Sequence, residues 1–327
     1  MASRVVLHVG LMKSGTSYLQ DRLTGLRSGG FLFPGEVWRD QVVAVSDVLG
    51  RSQRADGDFE GAWARMVASI GAWDGTAIVS MEFLGPASSE QIADVVGSFP
   101  AGTVEVVVTA RDLGRAVPAM WQESLKNGRS WSFGSYVTAL RDEPEHGFWR
   151  QQDLPGVVAR WSAAAPVTVV TVPPPGASSD LLWERFCTAT GLPVDACPPP
   201  PAGNESLGAA SSGVLRAVNE LPSVSGLAWP TYSRHVKFGL AKSILASRRE
   251  SEAPIGFKVP RWLRGRASAQ RAAVEGARVV GSLDDLVPLD TRGSDPDRVS
   301  AEDRLEAAVG AVAALLSRSA AAESADG

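Results

Sequence analysis

Lys13, Ser14, Gly15, Thr16 and Ser17 form one uninterrupted run, preceded by His8-Val9-Gly10-Leu11-Met12. Backbone amides at a helix N-terminus lack partners and carry the positive end of the helix dipole, so they attract anions. Gly15 lets the backbone approach a ligand, Ser14, Thr16 and Ser17 add hydroxyl donors, and Lys13 adds a point charge. Together these residues offer phosphate-binding chemistry. Arg111 stands two residues past the β-branched run 104–109, where its guanidinium can grip a phosphate through two parallel bonds. Asp112 then suits a helix N-cap. Glu82 lies two residues past a second such run, 77–80, and is a candidate general base, with Ser80 placed to orient it. His8, beside the loop, is the other candidate catalytic residue. The same types also serve plainer purposes: glycines in an ordinary strand–turn–helix, Arg111 in a strand-end ion pair, Glu82 as a cap, His8 as a hydrogen-bonded core residue.

These residues need a frame that brings them to one place. Val5-Val6-Leu7-His8-Val9 reads as a strand, and Thr16 to Leu26 as a helix with Leu19, Leu23 and Leu26 on one face. Further strands are expected at 77–80, 104–109 and 167–172. Continuous apolar strands separated by helical stretches predict an α/β fold, a parallel sheet flanked by helices on both faces. In such sheets ligands bind outside the carboxyl ends of the strands, which is where the loop, Glu82 and Arg111 fall. Helices are expected over Leu181–Gly191 and Ser211–Leu221, with a proline connector at 198–201. Over Ala301–Ser319, Leu305, Val309, Val312 and Leu316 form an apolar stripe that should dock on the body. Residues 222–278 follow no single period and are read as a segment able to cover a substrate site. Residues 1–319 are expected to form one domain, with a frayed tail over 320–327.

The loop is not a standard Walker A sequence. Gly10 and Gly15 have the right separation, but Thr16 occupies the lysine position and the lysine has moved forward to 13. Lys13-Ser14-Gly15-Thr16-Ser17 instead resembles the 5′-phosphosulfate loop of the sulfotransferases that use 3′-phosphoadenosine 5′-phosphosulfate (PAPS). The resemblance implies a P-loop-containing nucleotide-binding-like fold. It implies that Lys13 contacts the 5′-phosphate and bridging oxygen, and that Ser14, Gly15, Thr16 and Ser17 wrap the phosphate. Tyr18 stands where the family often has an adenine-stacking Trp. Arg111 matches the family's 3′-phosphate arginine, and Trp121 to Gly128 resembles bacterial members. Eight positions after Arg111 stands Ala119, where the family pattern has Ser. Glu82 sits like the family's catalytic His or Glu. Arg234 to Gly239 is a weak match to a further 3′-phosphate element.

The implied reaction moves a sulfuryl group from PAPS to a hydroxyl or amine of an acceptor, a small metabolite, lipid or glycan, without a metal, leaving adenosine 3′,5′-bisphosphate. Trp38, Trp121, Trp131, Trp149 and His146 are candidate acceptor contacts. Two other readings stay open: a P-loop kinase or nucleotide hydrolase with an aberrant loop, and a sulfotransferase-like binding protein that has lost catalysis. The chain has 327 residues and a formal charge of −4, which argues against nucleic acid as the main partner. Only five of its basic residues are lysines, which gives Lys13 weight. No apolar run reaches the ~18 residues of a membrane span, so a cytoplasmic protein is expected. Cys187 and Cys197 make neither a disulfide framework nor a zinc set. Oligomeric state leaves no mark on the sequence. Lys13→Ala and Arg111→Ala should each weaken adenosine 3′,5′-bisphosphate binding about ten- to a hundred-fold, the loss of a charge-assisted hydrogen bond of roughly 1.5–3 kcal/mol. Titration calorimetry measures it, and wild-type affinity in either variant would remove that residue from the site.

Overall fold

Alternation along the first strand sorts its side chains onto two faces. Val5 and Leu7 point into one buried cluster and Val6 into another. The same division holds at Ala77 and Val79 against Ile78, and at Val106 and Val108 against Val107. A sheet apolar on both faces must be covered on both. The structure, a computed structural model, describes residues 2–51, 59–200 and 206–325. It is an α/β protein with a seven-stranded, mostly parallel sheet.

The strands are β1 (Arg4–His8), β2 (Arg27–Ser28), β3 (Phe31–Leu32), β4 (Thr76–Ser80), β5 (Val104–Ala110), β6 (Val167–Thr171) and β7 (Arg278–Val280). Their order is β2-β3-β4-β1-β5-β6-β7, and only the β2–β3 pair is antiparallel. β1 is central. The chain first builds the β4 side, then crosses to β5 on the other side of β1, so the order reverses at the carboxyl end of β1. That reversal opens a crevice where open α/β sheets take their ligands.

Helices α1 (Thr16–Leu23), α2 (Trp38–Val48), α3 (Ala62–Gly71), α4 (Ser89–Gly97), α5 (Leu113–Lys126), α6 (Phe133–Asp142), α7 (Gly147–Gln151), α8 (Leu154–Ser162), α9 (Leu181–Thr190) and α10 (Ala209–Glu220) follow in order. One sheet face packs against Val45, Trp63, Met66, Ile92 and Trp161 of α2, α3, α4 and α8. The other packs against Leu19 and Leu23 of α1 and Leu182, Trp183 and Phe186 of α9. Complete burial of a Leu or Phe of this kind contributes roughly 1.5–3 kcal/mol. Cys187 and Cys197 are buried free thiols on the α9 side, and burial pushes the Cys187 thiol up to about 12.

The four expected strands are present. The α1 helix ends at Leu23, three residues early, because Thr24 turns extended (ψ 127°) and Gly25 turns left-handed (φ 82°). β2, β3 and β7 have two or three residues each, too short for a period to register. Pro201 of the expected connector lies outside the described residues.

The chain divides into two compact units, each discontinuous in sequence. The first, Met1–Leu113, Gly147–Pro201 and Arg264–Val287, holds the whole sheet. The second, Gly114–His146, Ala202–Leu263 and Pro288–Gly327, is helical. Residues 222–278 are largely helical too, over Pro222–Ser225, Trp229–Tyr232, Ser233–Leu245, Ala246–Ser251 and Arg261–Ala272. Ser233–Leu245 is a π-helix that buries Val236, Ala241, Ile244 and Leu245. Ser243 Oγ donates to the carbonyl five residues back, Phe238, at 2.7 Å. A turn wider than 3.6 residues moves the apolar positions off α-helical spacing, which is why no period was legible there. Within the same unit, Lys237 of the basic segment 234–239 pairs with Glu123 at 3.2 Å and bonds Asn127 Oδ1 at 2.7 Å.

The C-terminal helix, Ala301–Ala325, corrects the docking face expected from its apolar stripe. Leu305, Val309, Val312 and Leu316 are 55–66 % exposed, and Ala307 and Ala311 are buried instead. The helix packs on α10, which begins Ala209-Ala210-Ser211-Ser212-Gly213. A Cβ on Gly213 would lie 3.0 Å from Arg304 Cδ. Small residues meet small residues, so the backbones come close and leave no room for leucines. The helix runs on through Ala325, past the start of the expected tail, and Asp326 and Gly327 lie outside the described residues. Leu305→Ser with Leu316→Ser should therefore leave unfolding free energy within about 0.5 kcal/mol per site, while Ala307→Leu should cost about 1–3 kcal/mol by overpacking. Urea melts of the variants test this ordering.

Candidate functional site at the carboxyl ends of β1, β4 and β5

Beyond β1 the backbone stays paired to β5 for three residues: Val9 N–H donates to Val107 O and Leu11 N–H to Thr109 O, each at 2.9 Å. The chain then coils into a loop. Lys13 is left-handed at φ 61°, the one non-glycine with positive φ among the described residues, and Gly15 follows at φ 85°. A non-glycine in that region costs of order 1–3 kcal/mol and persists only where its surroundings hold it. Two carbonyls of the loop are held from outside. Gln152 Nε2 donates to Met12 O at 2.8 Å and Arg111 NH1 to Lys13 O at 3.3 Å. α1 begins at Thr16, with Gly15 as its N-cap and no side chain capping it.

Beneath the loop a chain of hydrogen bonds crosses the three central strands. Ser80 Oγ and His8 Nδ1 are 2.7 Å apart, His8 Nε2 and Thr109 Oγ1 3.0 Å, Thr109 Oγ1 and Ser14 Oγ 2.6 Å, and Ser14 Oγ and Leu11 O 2.5 Å. Proton counting gives the chain a direction. Leu11 O only accepts, so Ser14 donates to it, Thr109 donates to Ser14, His8 Nε2–H donates to Thr109, and Ser80 donates to Nδ1. His8 is fully buried, and burial pushes its pKa down to about 3, so the ring is neutral, as this direction requires. Both nitrogens are occupied, and the ring edge packs on Phe186 at 5.2 Å between centroids. In this setting His8 bridges strands rather than meeting a substrate. Ser14 is likewise fully buried: its hydroxyl closes the chain and points away from any ligand, leaving the loop's accessible hydroxyls to other residues. Gly10 leaves room for the chain, since a Cβ there would overlap Thr109 Oγ1 and lie 2.8 Å from His8 Nε2.

Glu82 opens a short turn, Glu82–Leu84, at the end of β4. Its neighbour Met81 N–H donates to His8 O at 3.0 Å. Gly85 passes so near β1 that a Cβ would sit 2.9 Å from Val9 O. Ser80 was expected to orient Glu82; the residue in contact is Gln20. Gln20 Nε2 donates to Glu82 Oε2 at 3.1 Å and to Ser80 O at 3.0 Å. A second buried glutamine, Gln41, accepts from Ser80 N–H at 3.0 Å and donates to Pro34 O at 2.8 Å. Gln20, Gln41 and Gln152 thus fix the site without adding charge. Their signal in the sequence was slight: Gln20 lies one turn past Thr16, between the buried Leu19 and Leu23, where an apolar residue would be the default.

The loop, Glu82 and Arg111 therefore share one edge of the sheet. Arg111 also borders a cavity of about 10 Å³ with Gln152 and Arg271, room for roughly one water. Asp112, buried, precedes α5. Tyr18 packs against the α9-side core. Its hydroxyl receives Arg22 NH1 at 2.8 Å and donates to Asp180 Oδ1 at 3.2 Å, while Arg22 stacks 4.4 Å over Trp183. Burial raises the phenol pKa, so Tyr18 offers a neutral, anchored ring.

Compared with protein-family models, curated proteins and solved structures, the chain matches none.

Glu82 also lines an open cleft of about 770 Å³, together with Met12 of the loop. The tryptophans take other places. Trp149 and Trp121 are buried, and Trp38 and Trp131 are partly exposed at 39 % and 37 %; none lines this cleft. In the helical unit His146 packs on Trp131 and Tyr136, and Ser124 donates to Trp121 O and accepts from Trp131 Nε1.

The buried imidazole makes stability depend on pH. Above pH 6.5 the ring is neutral in both states. As pH falls from 6.5 toward 3 the unfolded chain binds a proton that the native ring refuses, so stability is lost across that window, by up to about 1.4 kcal/mol per pH unit. Denaturant melts from pH 7 to 5 should show this slope in the wild type and not in His8→Gln. ¹⁵N NMR should report an Nε2–H tautomer throughout, and an imidazole titrating near 6.5 would contradict the buried bridge.

Proposed function

We propose that this protein is a PAPS-dependent sulfotransferase, moving a sulfuryl group to a hydroxyl or amine of an acceptor. One observation carries the reading. A loop bearing Lys13 in a left-handed turn and an uncapped helix N-terminus lies at the same sheet edge as Glu82 and Arg111.

The residues suit the donor nucleotide. Uncapped amides at Thr16 and Ser17 and the charge of Lys13 fit a 5′-phosphate. The Arg111 guanidinium, placed just past β5 and bonded to Lys13 O, is of the type that grips a second phosphate, and the anchored ring of Tyr18 suits a base. When bound, PAPS supplies an activated sulfuryl group whose departure leaves charge on the 5′-phosphate. Lys13 and the loop amides stabilise that charge in place, because the loop is held from both sides before any ligand arrives. Glu82 accepts the acceptor's proton, and Gln20 holds one of its carboxylate oxygens so that the group keeps its aim. On this reading the α/β architecture is a P-loop-like sulfotransferase fold, and the seven-stranded, mostly parallel sheet supports it.

Calorimetric titration with adenosine 3′,5′-bisphosphate, against ATP with Mg²⁺, tests the reading. Bisphosphate binding without metal is expected. Binding of ATP alone, and only with Mg²⁺, would replace it with the kinase reading. Glu82→Gln should bind bisphosphate as the wild type does and lose turnover by about 10²–10⁴-fold, the usual worth of a general base. Gln20→Leu should lower kcat while leaving bisphosphate affinity unchanged. Full activity in Glu82→Gln would exclude that residue from the chemistry.

A further inference from the structure

The cleft beside Glu82 carries a charge pattern that the sulfotransferase reading does not itself require. Arg51, Arg150 and Arg160 line it, against two carboxylates, Glu82 and Asp153. Both carboxylates have local partners. Glu82 receives Gln20. Asp153 caps α8 by accepting Gly156 N–H at 3.1 Å, and it lies 3.5 Å from Arg160. Among the described residues the lining thus carries three guanidiniums against two carboxylates, in a chain whose formal charge is −4. Arg150 is exposed at the end of α7, and Arg51 is half-buried just past α2. Guanidinium groups recognise carboxylate and phosphate through planar paired donors; a neutral hydroxyl compound has no use for them.

The volume of about 770 Å³ is that of a small-molecule site. Met12 of the loop, Glu82 and the arginines all line it. Resting on the sulfotransferase reading, we propose that the cleft binds a small acceptor bearing a carboxylate or phosphate on the same molecule as the hydroxyl to be sulfated, Arg51 and Arg150 holding the anion and Glu82 the hydroxyl. In the step, the acceptor oxygen forms a bond to sulfur as the bond from sulfur to the bridging phosphate oxygen breaks. The hydroxyl proton passes to Glu82, and the electron pair of the broken bond leaves on the 5′-phosphate of adenosine 3′,5′-bisphosphate. An acidic acceptor would otherwise be repelled by the anionic donor, and the arginines offset that repulsion.

Saturation-transfer NMR on the full chain, with and without adenosine 3′,5′-bisphosphate, tests this with D-glucuronate, D-glucose 6-phosphate and D-glucose as probes. At least one acidic probe should give a signal five-fold or more above glucose. That signal should fall to the glucose level in Arg51→Ala/Arg150→Ala and in 0.5 M NaCl. The glucuronate and phosphate arms tell the two anion sources apart. Equal signals from acidic and neutral probes, no signal from either acid, or an acidic-probe signal that survives the double substitution would overturn the inference. Calorimetry of the bisphosphate on the same samples separates the two readings. Bisphosphate binding without acid preference leaves the sulfotransferase standing and removes the acidic acceptor. Acid preference without bisphosphate binding removes the sulfotransferase and with it the proposed transfer.

Discussion

The neutral hydrogen-bond chain from Ser80 through His8, Thr109 and Ser14 to Leu11 O is the constraint on which the rest of the site depends. It ties β4, β1 and β5 together at their carboxyl ends and then fastens the loop to them. Each link has one proton to give, so the chain is satisfied in one direction only. A polar line of this kind inside a fully buried sheet is costly if any member is missing, because the groups left behind stay desolvated and unpaired. Gly10 leaves room for it, and the neutral state of His8 keeps its protons in order.

Charge is kept away from that line and placed around it. Of the cations at the site, Lys13 belongs to the loop, and Arg111 donates to its carbonyl. The carboxylate of Glu82 is aimed by an amide rather than an ion pair. An amide positions the group without setting a competing charge beside it. The glutamines at 20, 41 and 152 all act in this way. The left-handed turn at Lys13 is held by bonds to the carbonyls of Met12 and Lys13, so its cost is met by the frame and not by a ligand.

The helical unit follows a different rule. Its C-terminal helix docks through alanines and leaves leucines and valines exposed, because close backbone approach to α10 accepts only small side chains. Its π-helical stretch buries residues at a spacing that no α-helical template matches. Both are cases where packing partners, rather than the segment's own pattern, decide the outcome.

The α/β class, the four longest parallel strands and the grouping of Lys13, Glu82 and Arg111 at strand ends were legible in the sequence, since apolar runs and their period are local properties. The loop itself, with its glycines and hydroxyl residues, was legible too, because its residues are contiguous. The short strands, the π-helix, the true docking face of Ala301–Ala325 and the division into two units were not, for they depend on partners distant in the chain. Gln20 looks like any helix glutamine until β4 brings Glu82 beside it, 62 residues on. Ser14 reads as a ligand donor until Thr109, 95 residues away, claims its hydroxyl. Sequence alone determined which chemistry the residues offer. Only tertiary structure decided which of them face a ligand and which are consumed by the frame, because a hydrogen bond or a close contact is settled by what stands opposite in space.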